Sequence, residues 1–168
     1  WSGVAPDVME QHLLVEEFTR AGVALGIGNQ GISMLIPTLL ELGTEAQKRE
    51  YIAPTLRGEM VWCQGYSEPG AGSDLASLQT RGVEDGDDFV VTGSKLYITS
   101  GTRADFFTTA VRTGGPGFGG ISLLLIDRDL PGVSVSSPLK KMGWLCSDTA
   151  EIAFDAVRVP ASNLIGPE

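Results

Sequence analysis

The sequence is poor in the residues that build metal centres and disulfide frameworks. It holds one histidine, His12, and two cysteines, Cys63 and Cys146. One histidine excludes a histidine-rich metal site. Two cysteines outside any Cys-x-x-Cys pair do not make a disulfide framework, and they point to a reducing compartment, with cytoplasm expected. Positive charge is also scarce: 12 basic against 21 acidic residues give a formal net charge of -9. That argues against nonspecific nucleic-acid binding, which needs a basic face. It leaves room for a phosphate-bearing ligand, because a local loop can bind an anion whatever the net charge. No apolar run is long enough for a membrane span; the longest, Ile121 to Ile126, reads as a buried strand. No signal peptide is legible. The chain starts on Trp1 and stops at Glu168 without a closing element, so a fragment of a longer protein is expected.

What is present is enough for a core. Hydrophobic residues make up 42% and charged residues 20% of the 168 positions, which suits one ordinary domain or two small ones. The first third reads helical. Ala-Pro-Asp7 opens it, and Asp7 with Glu10 has the form of a capping box. Leu14, Phe18, Ala21 and Leu25 then follow at helical spacing, with Glu16, Glu17 and Arg20 off the stripe. Gly26-Ile-Gly28 loosens that pattern. A second apolar segment runs from Ile32 to Leu42, with Pro37 near its start or at a kink. Thr44 and Gln47 form another capping box, opening a short helix through about Ile52 that Pro54 closes.

From Val61 the period changes. Strands are expected near 61–66, 78–84, 88–92, 95–99, 105–112, 121–126, 133–136 and 149–159. Turns are expected at Glu84-Asp-Gly-Asp87 and at Thr92-Gly93-Ser94. Gly114-Gly-Pro-Gly-Phe-Gly-Gly120 reads as a plain hairpin connection, since it lacks flanking polar anchors. No helical pattern interrupts the strands. The expected fold class is therefore α+β: N-terminal helices followed by an antiparallel barrel or sandwich.

One stretch stands out, Ser67-Glu-Pro-Gly-Ala-Gly-Ser-Asp74. Gly70 and Gly72 permit positive φ and put no Cβ in the way of a ligand. Successive amides in such a turn can converge on an anion, with Ser67 and Ser73 supplying a hydroxyl at each end. A P-loop would need Lys-Ser/Thr after the last glycine, and a Rossmann fingerprint would need a βαβ setting; neither is here. A tight turn with glycines for geometry alone is the competing reading.

The same stretch, extended to Tyr66 and Ala76, resembles the signature loop of the acyl-CoA dehydrogenase family. Gly93-Ser-Lys-Leu-Tyr-Ile-Thr-Ser-Gly101 looks like that family's second flavin-contacting strand. Lys141-Met-Gly-Trp144 with Ser147-Asp-Thr-Ala-Glu-Ile152 resembles a further stretch. Phe154-Asp-Ala-Val-Arg-Val-Pro160 and Asn163-Leu-Ile-Gly166 look like the exit from the middle domain. Gly28-Asn-Gln-Gly31 and Gly43-Thr-Glu-Ala-Gln-Lys48 are similar to the end of the N-terminal helical domain. The resemblance implies residues 1–59 as the end of that helical domain, 60–166 as the middle β-domain, and a C-terminal helical bundle outside this chain. It implies FAD as cofactor. Ser67 would meet the flavin pyrimidine edge, with Gln64, Gly65 and Tyr66 on the same strand end. Ser73 would lie near the FAD pyrophosphate and the acyl-CoA, and Gly72 would also belong to the cofactor site. Tyr97, Ile98 and Thr99 would face the isoalloxazine, Tyr97 standing where tryptophan is common.

The implied reaction is α,β-dehydrogenation of an acyl-CoA thioester, with hydride transfer to flavin and electrons passed to an electron-transfer flavoprotein. A related acyl-CoA oxidase, a flavin monooxygenase or a non-catalytic flavin-binding remnant are the alternatives. The resemblance puts the catalytic glutamate beyond Glu168 and the full protein in a homo-oligomer. Glu68 is expected to be structural, not the base. His12 reads as a surface or packing residue, Cys63 as a small buried hydrophobe, and Trp62 and Trp144 as packing residues. Cys146 is expected in a loop, and Asp148 and Thr149 at a turn. The helical stripe needs a covering layer, so the isolated chain is expected to aggregate or to bind FAD poorly.

Overall fold

A computed structural model describes residues 7–23 and 28–166. The expected opening Ala5-Pro6 and the positions Leu25 and Gly26 lie outside the described residues. The chain is α+β: helices first, then an eight-stranded, mostly antiparallel sheet.

Helix α1 (Val8–Arg20) starts at the expected capping box, in which Asp7 accepts from the Glu10 amide and Glu10 accepts from the Asp7 amide. The described part of its apolar stripe, Leu14 and Phe18, is exposed, and the helix has no buried residue. His12 sits on this exposed helix. A single wide turn over Gly31–Leu35 then leads into α2 (Ile36–Leu42). The turn is of the i→i+5 kind and the Ile36 amide reaches back to the Gly31 carbonyl. Pro37 explains it: without an N–H it cannot continue a regular ladder, and a widened turn absorbs the loss. Helix α3 (Glu45–Leu56) begins at the Thr44–Gln47 capping box. It does not stop at Ile52 as expected; Pro54 lies within its last turn, where only one upstream carbonyl loses a partner.

The strands are β1 (Trp62–Gly65), β2 (Arg81–Asp85), β3 (Asp88–Thr99), β4 (Phe106–Arg112), β5 (Ile121–Asp127), β6 (Val133–Val135), β7 (Thr149–Pro160) and β8 (Leu164–Ile165). Their order is β6-β7-β3-β2-β4-β5-β8, with β1 attached to β4. Three expectations change. The α+β class with a mostly antiparallel sheet is as expected, but the sheet is not closed into a barrel: β6 and β8 end it without pairing to each other. The β1–β4 pair is parallel, and β2 touches β4 in parallel at one register, Arg81 with Arg112. The third change is at Thr92-Gly93-Ser94, which is no turn. The two runs expected at 88–92 and 95–99 form one strand, β3, with register shifts against β7 at Val91/Gly93 and at Lys95/Ile98. Gly93 is a bulge residue at φ 152°, and a Cβ there would sit 2.5 Å from Thr80 Oγ1. A strand glycine can mark a bulge and a close approach as readily as a turn. The Gly114–Gly120 stretch does connect the β4–β5 hairpin. Arg112 braces it by donating to the Gly115 and Gly117 carbonyls.

The helices meet the sheet through one apolar cluster that includes Leu39, Ile52, Trp62 and Leu125. Trp62 stacks on Phe106 at 4.8 Å and its indole N–H donates to Thr55 Oγ1 at 2.8 Å. Gly31 lies against that indole; a Cβ there would stand 2.5 Å from Trp62 Cδ1. Polar side chains fix the register. Asn29 donates to the Met60 carbonyl and accepts from the Trp62 amide, Gln30 accepts from the Gln64 amide, and Gln47 donates to the Ser162 and Leu164 carbonyls. The second cluster, built from residues of the strands, holds Cys63, Phe107, Ile152 and Phe154. Cys63 is thus the small buried residue expected, and burial pushes its thiol well above the ordinary value.

Candidate functional site

The glycine loop leaves β1 and turns at once. Glu68 and Ala71 exchange two backbone hydrogen bonds, N–H to O at 2.7 and 3.2 Å, with Pro69-Gly70 at the tip. The loop is tied to β3 on its inner side. The Leu96 amide donates to the Ser67 carbonyl at 2.9 Å. Lys95 Nζ donates to the Tyr66 carbonyl at 3.1 Å and to Glu68 Oε1 at 2.8 Å. The Glu68 carboxylate also accepts from the amides of Gln79, at 2.7 Å, and Thr80, at 2.9 Å. The ion pair is interior: the Lys95 side chain is 0% exposed and that of Glu68 7%.

Burial alone raises the Glu68 carboxyl, but hydrogen bonds from Lys95, Thr80 and the two amides outweigh it and hold the group below its ordinary 4.5. Burial lowers Lys95 from its ordinary 10.5, and Glu68 offsets part of that. Glu68 is therefore spoken for by structure, as expected, and is no free base.

The outer side of the loop is different. Gly72 and Ser73 are exposed, and their amides have no hydrogen-bond acceptor among the described residues. Neither Gly70 nor Gly72 has positive φ, and a Cβ on either would meet nothing within 4 Å. The fold itself does not require glycine at these two positions. Gly65 is the opposite case, pressed on Thr109 with 2.9 Å between an added Cβ and Oγ1.

Beside the loop, β3 is strained. Tyr97 has φ 61° and Ser100 has φ 65°. Non-glycine residues held there cost on the order of 1–3 kcal/mol each, and such strain clusters at binding sites. The Lys95/Ile98 bulge turns the Tyr97 ring outward, where it is 69% exposed. Ile98 turns inward: the whole residue is 3% exposed, its side chain lies in the core and its carbonyl accepts from the Gly101 amide. Thr99 is half-buried and pairs with Thr149 of β7. Asp148 braces the following turn, accepting from the Thr102 amide and hydroxyl at 2.8 and 2.7 Å and pairing with Arg103 at 3.2 Å. It shapes a turn, one of the roles expected of it.

The structure ties Tyr66 and Ser67 to Lys95 and Leu96, directly before the Tyr97–Thr99 segment, while Gln64 is held by Gln30 and Gly65 lies on Thr109. It leaves Gly72 and Ser73 on the loop's outer limb with no hydrogen bond to either strand. Lys95, Asn29 and Gln30 carry the assembly but had no role assigned from sequence. A lysine in an apolar strand, with a glutamate in a glycine loop upstream, was the only available signal for the first. Trp144 does not pack as expected. It is 75% exposed at φ 55°, in a loop with exposed Met142, Leu145 and Cys146 that Lys141 holds through the Trp144 and Ser147 carbonyls.

Helices laid on an open sheet, with a glycine loop locked to a bulged, strained strand, define an α+β fold of non-Rossmann type. Comparison with known proteins makes it specific. Residues 1–59 match the acyl-CoA dehydrogenase N-terminal domain and residues 63–157 the acyl-CoA dehydrogenase middle domain. A short-chain-specific acyl-CoA dehydrogenase of Clostridium acetobutylicum is 35% identical over 170 residues, covering 100% of this chain and 45% of that protein. A solved probable acyl-CoA dehydrogenase from Mycobacterium abscessus is 55% identical with a TM-score of 0.80, over 88% of this chain and 39% of that one. A chain in a solved electron-transferring flavoprotein structure of Acidaminococcus fermentans is 35% identical with a TM-score of 0.84, over 99% of this chain and 44% of that one. The chain belongs to the acyl-CoA dehydrogenase family. It spans less than half the length of these relatives. Among the described residues no helix is long and apolar enough to cross a membrane, and no group of His, Cys, Asp and Glu could hold a metal ion.

Proposed function

We propose that this chain carries the flavin- and thioester-facing part of an FAD-dependent acyl-CoA dehydrogenase. Residues 1–59 are the end of its helical domain and 60–166 its β-domain. The observation that carries the reading is a juxtaposition. A strained segment with an outward aromatic ring, Tyr97 to Ser100, lies beside a loop whose glycines and free amides the fold does not use. FAD fits that arrangement, and when bound it supplies the hydride acceptor for the substrate β-carbon. Gln64, Gly65, Tyr66 and Ser67 border the flavin's polar edge. The Gly72 and Ser73 amides, with the Ser73 hydroxyl, bind phosphate oxygens and the near part of the acyl-CoA. The Tyr97 ring excludes water from one side and the Thr99 hydroxyl orients the ring system, with Ile98 anchoring the segment from the core. The α-proton goes to a glutamate supplied by a helical bundle outside these residues, as Glu68 is committed to Lys95. An electron-transfer flavoprotein takes the electrons, and the full protein is a homo-oligomer.

The test is anaerobic mixing of the full-length protein with a series of acyl-CoA thioesters. Loss of the oxidised-flavin absorbance with formation of 2-enoyl-CoA is expected, with slow recovery on admitting oxygen. Rapid recovery with stoichiometric peroxide would make it an oxidase instead. Absence of any bleaching across the series would refute the dehydrogenase reading.

A further inference from the structure

We propose that Lys95 and Glu68 are a positioning pair that sets the register between the two flavin-facing segments, an inference that rests on the flavin reading above. Burying both charges is costly, and an apolar pair of the same volume is often as stable or more so. Stability is therefore a poor reason for an ion pair in this interior. Its geometry offers a better one. Every polar atom of the pair is used, and no buried side-chain nitrogen or oxygen among the described residues lacks a partner. The ammonium holds the Tyr66 carbonyl and the carboxylate, the two groups that flank Ser67. The carboxylate holds the Gln79 and Thr80 amides, which close the far end of the loop. Thr80 in turn lies against Gly93, and its hydroxyl donates to the Ser94 carbonyl at 3.4 Å.

Lys95 occupies the last regular position before the bulge that gives Tyr97 its φ of 61°. One residue thus faces both segments: its side chain fixes the Ser67 limb, and its backbone leads into the strained Tyr97 turn. A pair of leucines could fill the space. It could not hold the Tyr66 carbonyl or the two amides, and the loop could then slide against β3. Groups that orient a ligand-contacting residue without touching the ligand typically change affinity about 10- to 100-fold when removed, the range known for supports of metal ligands.

The experiment uses the full-length protein with added FAD and three variants: Glu68→Gln, Lys95→Met, and the double variant Glu68→Leu/Lys95→Met. Thermal stability, FAD dissociation constant, visible circular dichroism of the flavin, and amide exchange at Gln79 and Thr80 are read for each. The expected result for the double variant is a folded protein with a modestly lowered melting temperature, since the Tyr66 carbonyl and the Gln79 and Thr80 amides lose their partners, with faster exchange at Gln79 and Thr80, about 10-fold or weaker FAD binding, and an altered flavin dichroism. A double variant that folds and binds FAD with unchanged affinity and dichroism would overturn the proposal. If the double and Lys95→Met variants do not fold, Glu68→Gln decides. It keeps the shape and one acceptor oxygen, and is expected to fold with weakened FAD binding; unchanged binding would overturn the proposal equally. Wild-type protein that binds no FAD would instead refute the functional reading on which the pair's role depends.

Discussion

Helices α1 and α3 start in the same way and end differently. Each has a complete capping box, Asp7 with Glu10 in one and Thr44 with Gln47 in the other. Helix α1 has the cleaner apolar stripe and no interior proline, yet it buries nothing. Helix α3 contains Pro54 and little amphipathic contrast, yet buries Gln47, Tyr51, Ile52 and Thr55. Local signals decide that a helix forms; what it packs against decides whether it matters to the rest of the chain. Gln47 makes the point within one side chain. It closes the capping box through its oxygen and docks the helix through its nitrogen, on the Ser162 and Leu164 carbonyls.

The comparison can be broken most directly at Trp62, the residue on which the α3 side rests. Trp62→Ala is expected to cost about 3–5 kcal/mol by removing a buried aromatic and its hydrogen bond to Thr55. Chemical denaturation would read it, and a loss below ~1 kcal/mol would mean that the helices are not docked as described. The two capping boxes sharpen the comparison at intermediate size. Gln47→Ala should lower global stability by about 1–3 kcal/mol, since it strands buried carbonyls as well as opening the box. Asp7→Ala should cost α1 about 1 kcal/mol of helix stability and leave the sheet's unfolding midpoint alone. Equal global effects of the two would erase the distinction. The smallest effect is expected at Phe18, which in α1 is exposed and outside every buried cluster. Phe18→Gln should change the stability of these residues by no more than about 0.5 kcal/mol while reducing self-association, read by denaturation and light scattering.

Much of this architecture was legible in the residues. Both capping boxes, the strand regions and the hairpin at Gly114–Gly120 followed from local chemistry. The glycine loop stood out because no ordinary turn needs two serines, two glycines and a proline so close together. What was missed is non-local. Gly93 reads as a turn residue until Thr80, on another segment, is found pressed against it. The parallel β1–β4 pair and the open sheet depend on how distant strands add, which no window of sequence carries. Trp144 looks like core by composition and is exposed. Ile98 fell within a motif expected to face the cofactor, but strand alternation after the bulge sends its side chain inward. Lys95 carries no signal of its own within that motif, because a lysine becomes an interior residue only when its carboxylate arrives from another part of the chain.

The central claim is that the Ser67–Ser73 loop and the Tyr97–Thr99 segment together form a flavin site. The measurement that tests it most directly is the flavin content of the full-length protein purified from its source, compared with a Ser67→Ala/Tyr97→Ala double variant of the same protein. The account predicts FAD bound in equal numbers to wild-type chains and lost, wholly or in large part, from a variant that still folds. Full flavin occupancy in the folded variant, or a wild-type protein without flavin, would contradict it.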